Sequence, residues 1–85
     1  MNQAVLFPDS ESWDDTLQCI RFPALVSGFQ VNCALSAESL AHRFGGDAPG
    51  QWLESFRLHR WDLEEEAEQA IREQKDDDQG WFWLS

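Results

Sequence analysis

Alternating apolar residues on both sides of Ser27-Gly28 constrain the fold of this chain more than any other feature. They are Ile20, Phe22, Ala24 and Val26 before the dipeptide, and Phe29, Val31, Cys33 and Leu35 after it. A period of two is typical of strands with one buried face. Glycine readily adopts the positive φ of a two-residue primed turn. The sequence therefore predicts a β-hairpin centred on Ser27-Gly28.

A two-residue turn also fixes the register of this hairpin. It pairs Val26 with Phe29, and it continues with the pairs Ala24–Val31, Phe22–Cys33 and Ile20–Leu35. All eight apolar side chains then share one face, and a shift by one residue would destroy that match. Pro23 falls opposite Asn32 at a position that needs no hydrogen bond within the hairpin. We therefore expect the other side of the strand near Pro23 to be an edge or to be irregularly paired.

The residues around the hairpin predict short strands and helices. Residues 3–7 predict a strand that ends at Pro8, and the polar residues 9–15 predict a loop or a single turn. Ser36 is placed to cap a helix that ends at Phe44.

Two further helices and a last strand are predicted beyond Gly45-Gly46. Asp47 and Pro49 are placed to open the second helix. Asp62 and Glu65 resemble a capping box that starts a third, with a bend near Trp61 between them, although the apolar period also allows one continuous helix. Residues 75–80 predict a polar turn, and residues 81–84 a strand.

These elements predict a single domain over residues 1–85 with an α+β fold. The expected architecture is a small antiparallel or mixed sheet of three to four strands with two or three helices packed on one face. The expected element order is β-β-β-α-α-(α)-β. Burying one Trp or Phe side chain stabilises a fold by roughly 2–3 kcal/mol. Five Trp and six Phe can therefore hold so short a chain together without a disulfide or a metal ion.

The net charge of −10 narrows the classes of partner. Nucleic acids and anionic membranes would both repel an isolated chain of this charge. The charge therefore argues against a protein that binds either of them on its own. Met1-Asn2-Gln3 lacks the basic start of a signal peptide, and no apolar run has membrane-spanning length. The sequence therefore predicts a cytoplasmic protein in which Cys19 and Cys33 are reduced thiols.

The aromatic residues near the C-terminal end predict a protein interface. Trp81 and Trp83 would share one face of the last strand, with Phe82 and Leu84 on the other. If helices cover one sheet face, the second face would carry one of these rows together with Leu17 and Leu25. An apolar face of that size indicates a protein partner or a homodimer. The pattern alone leaves open which row is exposed.

Three arginines on the middle helices support an alternative function. Arg43, Arg57 and Arg60, with Gln51, could form a basic patch on two helices joined by a glycine-bearing turn. Such a patch would suit a DNA-associated transcriptional regulator. The simpler interpretation is that these arginines pair with the many nearby acids.

No pattern in the sequence indicates catalysis, a cofactor or a metal site. The spacing of Cys33, His42 and His59 matches no metal signature, and a cysteine on an apolar strand face is usually part of a core. The acidic run over residues 64–68 is typical of a solvated helix face. We therefore predict that the chain is not an enzyme and needs neither a cofactor nor a metal ion.

Three blocks of the sequence resemble one protein family. They are FPALVSG at residues 22–28, CALSAESL at 33–40 and HRWDLEE at 59–65. In this order they are similar to a family of small bacterial proteins catalogued as a domain of unknown function, over the whole chain. The resemblance implies an α+β fold, and some members carry the label of transcriptional regulator. It implies no catalytic or binding residues.

Overall fold

The hairpin forms the centre of the sheet, with the predicted register. The computed structural model describes residues 4–85, so the predicted strand residue Gln3 and the N-terminal tripeptide lie outside the described residues. Strands β3 (Cys19–Val26) and β4 (Phe29–Ser36) are antiparallel. Val26 pairs with Phe29, and the register runs on to Ile20 opposite Leu35. Ser27 and Gly28 have φ values of 52° and 85°, as a primed turn requires.

Two short strands pair with the same side of β3 and leave a gap between them. Strand β1 (Val5–Leu6) pairs antiparallel with the end of β3, at Leu25 and Val26. Strand β2 (Ser12–Asp14) pairs antiparallel with its beginning, from Cys19 to Arg21. Pro23 lies in the gap, where β3 needs no backbone donor on that side. The expectation of irregular pairing near Pro23 is confirmed.

The prediction of a loop over residues 9–15 is wrong for the three residues of β2. The indole of Trp13, the one large apolar side chain of this stretch, packs against that of Trp52 with ring centroids 5.4 Å apart. This contact holds a polar segment against the sheet, where its backbone pairs with β3. Polarity alone therefore did not reveal the strand.

The first helix begins and ends where the sequence indicates. Helix α1 spans Ala37–Phe44, and the Ser36 hydroxyl accepts the backbone N–H of Ser39 at 3.1 Å. Gly45 follows with a φ of 77°, and its N–H donates to the Ala41 carbonyl. A residue without Cβ adopts this φ at little cost, so glycine suits the end of the helix.

The other two helices are separate, and Pro49 opens the second as predicted, but the side-chain caps predicted at Asp47 and Asp62 are wrong. Helix α2 (Pro49–Leu58) follows Ala48, and Asp47 instead donates its backbone N–H to the Gln51 side chain at 2.7 Å. Helix α3 (Arg60–Arg72) begins two residues before Asp62, and neither helix has a side-chain cap. The break lies at His59, close to the predicted bend.

The last strand joins the sheet on the far side of β4. Strand β5 (Trp81–Leu84) runs parallel to β4, with Phe82 opposite Cys33 and Leu84 opposite Leu35. The strand order is β1-β3-β4-β5, and β2 pairs with β3 beside β1. The fold is therefore α+β, as predicted. The mixed sheet has five strands rather than three to four, because β2 adds one.

The helices cover the apolar face of the hairpin and form the core with it. The rings of Phe22 in β3 and Phe56 in α2 lie 4.9 Å apart at its centre. The other buried core residues are Ile20, Ala24, Cys33, Leu35, Phe82 and Leu84 from the sheet, and Leu40, Trp52, Leu63 and Ala67 from the helices. The opposite face of the sheet, called the outer face below, is not covered by these helices. Across residues 4–85, every helix is too short or too polar to cross a membrane.

Candidate interaction surface

The two rows of the last strand have opposite surroundings. Phe82 and Leu84 are each 7% exposed and belong to the core beneath the helices. Trp81 is half-buried and Trp83 is 38% exposed, both on the outer face. Their rings stack at 5.8 Å with an interplanar angle of 22°. Of the predicted interface residues on β5, the two tryptophans form an accessible pair, called the tryptophan pair below. Phe82 and Leu84 are buried in the core and are not accessible to a partner.

The other two predicted interface residues lie away from each other. Leu25 is half-buried near the end of β3, opposite the exposed Leu6 of β1. Leu17 is exposed in the turn before β3 begins. Arg21 and Pro23 separate them along the strand, so the leucines and the tryptophan pair do not form one continuous apolar face. The leucines were predicted to share one apolar face with the last strand, and the charged side chain of Arg21 interrupts that face.

An arginine lies over Trp81, the first residue of the tryptophan pair. The guanidinium carbon of Arg21 is 5.8 Å from the ring centroid of Trp81, which is within cation–π range. In the sheet register Ala34 lies between Arg21 and Trp83. Ala34 is fully buried although it points to the outer face, because these larger neighbours flank it. The tryptophan pair is therefore part of a packed surface and is not a loose chain end.

Asp77 holds the tryptophan pair in place from the turn before β5. Its carboxylate accepts the backbone N–H groups of Trp81 and Gln79 and the indole N–H of Trp83, each at 2.9 Å. Its own backbone N–H donates to the Trp81 carbonyl at 2.8 Å. The hydrogen bond from the Trp81 backbone, with the others, lowers the pKa of this carboxyl below its ordinary value. Asp77 therefore places a negative charge beside the tryptophan pair.

The free edge of β5 is engaged at both ends. Trp81 is bonded to Asp77 through both of its backbone groups. At the other end Arg43 donates to the Ser85 carbonyl through Nε at 3.0 Å and through a second guanidinium nitrogen. An exposed strand edge can recruit another strand, and such contacts obstruct it. The accessible surface is therefore the face of β5 rather than its edge.

A groove on the outer face lies next to Trp81. Its volume is about 400 Å³ and it follows the gap between β1 and β2. The lining residues are Pro8, Ser10, Ser12, Arg21, Pro23, Gln30 and Asn32. Asn32 pairs with Trp81 in the sheet register, so the groove and the tryptophan pair are contiguous. Hydroxyl and amide groups of this kind can bond the backbone of an extended peptide.

The predicted basic patch is divided between two groups of acids. Arg43 forms a two-pronged pair with Glu66 at 2.6 and 2.8 Å. Arg57 donates to Glu11 at 2.9 Å, and Arg60 lies 2.6 Å from the other oxygen of Glu11 in an ionic contact. The simpler interpretation, in which these arginines pair with acids, is the one that the structure shows. Their charge is neutralised locally, which weakens the electrostatic attraction that they could exert on a phosphate backbone.

Glu11 joins the segment before β2 to the corner between α2 and α3. Its side chain is only 7% exposed. Burial alone would raise the pKa of Glu11, but hydrogen bonds from Arg60 and Arg57 outweigh burial and lower the pKa to about 2. Glu11 lies in a polar stretch that resembles a loop, so no local pattern marks it as a buried residue.

The side chains considered as metal ligands are buried in the core, stacked on an aromatic ring or exposed on a helix. Burial raises the pKa of the Cys33 thiol to about 12, and that of Cys19 to about 11. His59 stacks on Phe44 with ring centroids 4.5 Å apart, and His42 is exposed on α1. Within residues 4–85, no three His, Cys, Asp or Glu side chains are grouped as a metal site.

Arg21 and Asp77 are the surface residues that sequence reasoning did not single out. An aspartate three residues before Gly80 fits a turn that its own side chain stabilises, and this signal was available. Arg21 could be assigned to the outer face from the hairpin register. Its contact with Trp81 could not be inferred, because nothing local pairs the last strand with β4.

The chain is similar over nearly its whole length to proteins from several bacteria. It is 67% identical to the uncharacterized protein YrdB of Escherichia coli K12 and 66% identical to that of Shigella flexneri, over 99% of each chain. A crystal structure of a DUF1488 family protein of unknown function from Shewanella loihica matches with a TM-score of 0.92 and 31% identity. That match covers 99% of this chain and 94% of the other. Residues 5–84 match the family described as protein of unknown function DUF1488, and the chain belongs to this family.

Proposed function

We propose that this chain is a non-enzymatic interaction module that binds a basic segment of a partner protein on the outer face of its sheet. The observation that carries the proposal is the tryptophan pair, fastened by Asp77 on the face that the helices leave uncovered. Tryptophans with one buried and one accessible side are frequent anchors of protein interfaces. They lose little side-chain entropy on binding when they are already held in place.

The distribution of charge favours a basic partner. The net charge is −10, and residues 62–78 hold nine acids against Arg72 and Lys75. Asp76 and Asp78 are exposed beside Asp77 in the turn that precedes the tryptophan pair. An arginine or lysine side chain could therefore contact an indole face while it neutralises a nearby carboxylate. A polyanionic partner would meet repulsion at the same place.

The cysteines support a cytoplasmic site of action, which forms part of this proposal. Cys19 and Cys33 are both buried, and neither is in a disulfide. Free buried thiols are typical of reducing compartments. A partner present in the same compartment is therefore the relevant one.

The proposal can be tested with a short arginine–glycine repeat peptide. The readout is the set of indole N–H signals of the five tryptophans in an NMR titration at low salt. We expect the signals of Trp81 and Trp83 to move. A matched peptide with citrulline in place of arginine keeps the shape without the charge, and it should bind far more weakly.

Two tryptophan variants provide the matched comparison. Trp83→Ser should weaken peptide binding about tenfold, which is typical for loss of an interface anchor. Trp61→Ser removes an indole that is 84% exposed on α3, and it should change the affinity less than about twofold. Absence of binding to the arginine peptide at low salt would contradict the proposal. So would equal losses in the two variants.

A further inference from the structure

We infer that Arg21 competes with the partner for one face of the Trp81 indole. In the free chain Arg21 lies over this face; when the partner binds, a cationic side chain of the partner replaces it, and Arg21 pairs with Asp14 instead. The inference rests on the proposed function and specifies how the surface is regulated. Arg21 would be an internal competitor, which covers one face of the Trp81 indole until a basic segment displaces it.

The first support is that Arg21 is loosely held. Its guanidinium lies 3.8 Å from the nearest carboxylate oxygen of Asp14, and its side chain is 45% exposed. By contrast, Arg43 and Arg60 each have a carboxylate oxygen at 2.6 Å, and Arg57 has one at 2.9 Å. Arg21 therefore keeps its cation–π contact with Trp81 without a close ion pair that would have to break on displacement.

The second support is that a destination for Arg21 is already present. Asp14 lies on the neighbouring strand β2, and its Oδ1 accepts the backbone N–H of Leu17 at 2.9 Å. Its other oxygen, Oδ2, faces Arg21. Arg21 already lies 3.8 Å from this oxygen, so a guanidinium that leaves the ring could close the separation to about 2.7–2.9 Å, the length of a charge-assisted hydrogen bond. The displaced arginine would thus exchange its aromatic contact for a closer ion pair with Asp14.

The third support is the groove that Arg21 lines. An extended segment bonded to Gln30 and Asn32 in the groove would pass beside Trp81, because Asn32 and Trp81 are paired in the sheet. A basic side chain of that segment could then reach the indole face that Arg21 now covers. Backbone recognition in the groove and cation recognition at Trp81 would act together on one peptide.

Two arginine variants of equal charge test this mechanism with the same arginine–glycine peptide. Arg21→Ala removes the competitor. Arg72→Ala removes one positive charge from α3, where Arg72 pairs with Glu68 of its own helix. We expect Arg21→Ala to raise the affinity about fivefold, as loss of one competing cation–π contact implies, and Arg72→Ala to raise it less than about twofold. Unchanged or lower affinity in Arg21→Ala, or an equal gain in both variants, would overturn the inference.

A measurement on the unmodified chain makes the test independent of the variants' folding. The Nε–H signal of Arg21 should shift on addition of the arginine peptide and stay in place with the citrulline peptide. An unmoved signal, while the indole of Trp83 responds, would overturn the displacement of Arg21 and leave the proposed function standing. No response at either residue would refute the proposed function itself.

Discussion

The indole N–H of Trp83 donates a hydrogen bond to Oδ2 of Asp77 at 2.9 Å. This bond joins the acidic turn before β5 to the aromatic row on the outer face of the sheet. It fixes the ring of a side chain that is 38% exposed, and it sets a carboxylate at the edge of that ring. Shape and charge at the proposed surface therefore depend on one residue of the turn.

Asp77→Ala should loosen β5 without unfolding the rest of the sheet. The substitution removes the acceptor of three hydrogen bonds, from Gln79, Trp81 and the Trp83 indole. We expect faster amide exchange at Phe82 and Leu84 and a lower urea midpoint. Asp78→Ala changes the same charge in the same turn and should leave both unchanged. Equal effects of the two substitutions would show that charge, rather than bonding, accounts for the result.

The two rows of β5 should differ in their contribution to stability. Phe82→Ala leaves a cavity in the core and should lower the free energy of unfolding by about 3–5 kcal/mol. Trp83→Ala removes a ring that remains partly in water, and we expect a cost of about 1 kcal/mol. Urea unfolding of both variants measures the difference. Similar costs would mean that the outer row is as deeply packed as the inner one.

The stability of the fold should depend on Glu11 in acid. The pKa of Glu11 is lowered from 4.5 to about 2, so its contribution is complete above pH 4.5 and is lost as the pH falls towards 2. Glu11→Gln should therefore lower the free energy of unfolding by about 3 kcal/mol at neutral pH. The difference from the unmodified chain should shrink across this acidic window, as measured by urea unfolding at several pH values.

Glu65→Gln provides the control for the acid experiment. It makes the same chemical change on the exposed side of α3. Its free energy of unfolding should stay within about 0.5 kcal/mol of the unmodified chain at each pH. If Glu11→Gln behaves in the same way, the pairing of Glu11 with Arg57 and Arg60 contributes nothing measurable.

Both thiols should be unreactive in the folded chain. Burial raises the pKa of Cys19 to about 11 and that of Cys33 to about 12, so little thiolate forms near neutral pH. We expect a thiol-specific reagent to modify them only after the sheet opens, at a rate that follows the denaturant concentration. Rapid modification of either cysteine in buffer would show that its strand opens locally.

The isolated chain should not retain duplex DNA. Arg43, Arg57 and Arg60 are paired with acids, and the net charge of −10 opposes a phosphate backbone. A mobility-shift experiment at about 20 mM salt gives phosphate contacts their greatest strength. A retained complex that is weakened by Arg57→Ala would support the alternative function of a DNA-associated regulator.

Local patterns were sufficient to predict the hairpin and the first helix. The register from Ile20–Leu35 to Val26–Phe29 follows from alternation and a glycine turn, both of which act over a few residues. Ser36 and Gly45 likewise bound α1 through local hydrogen bonds. These features could be predicted from the sequence because the interactions that produce them join residues close together along the chain.

Contacts between distant segments could not be predicted in the same way. Strand β2 exists because Trp13 packs on Trp52, and the exposed row of β5 was decided by the helices that cover Phe82. The union of Glu11 with Arg57 and Arg60 joins charged residues that each look solvated in isolation. Of the residues in the candidate surface, the tryptophans were therefore named from the sequence. The contacts of Arg21 and Asp77 with them became apparent only from the fold.

The parallel pairing of β4 with β5 has a consequence for the order in which parts of the molecule fold. Phe82 meets Cys33 only after all three helices have been synthesised, so this pairing closes a long loop and is expected to form late in folding. The same step that seals the core from water also sets Trp81 and Trp83 side by side. A chain still emerging from the ribosome would therefore lack the proposed surface, which only the completely folded molecule presents.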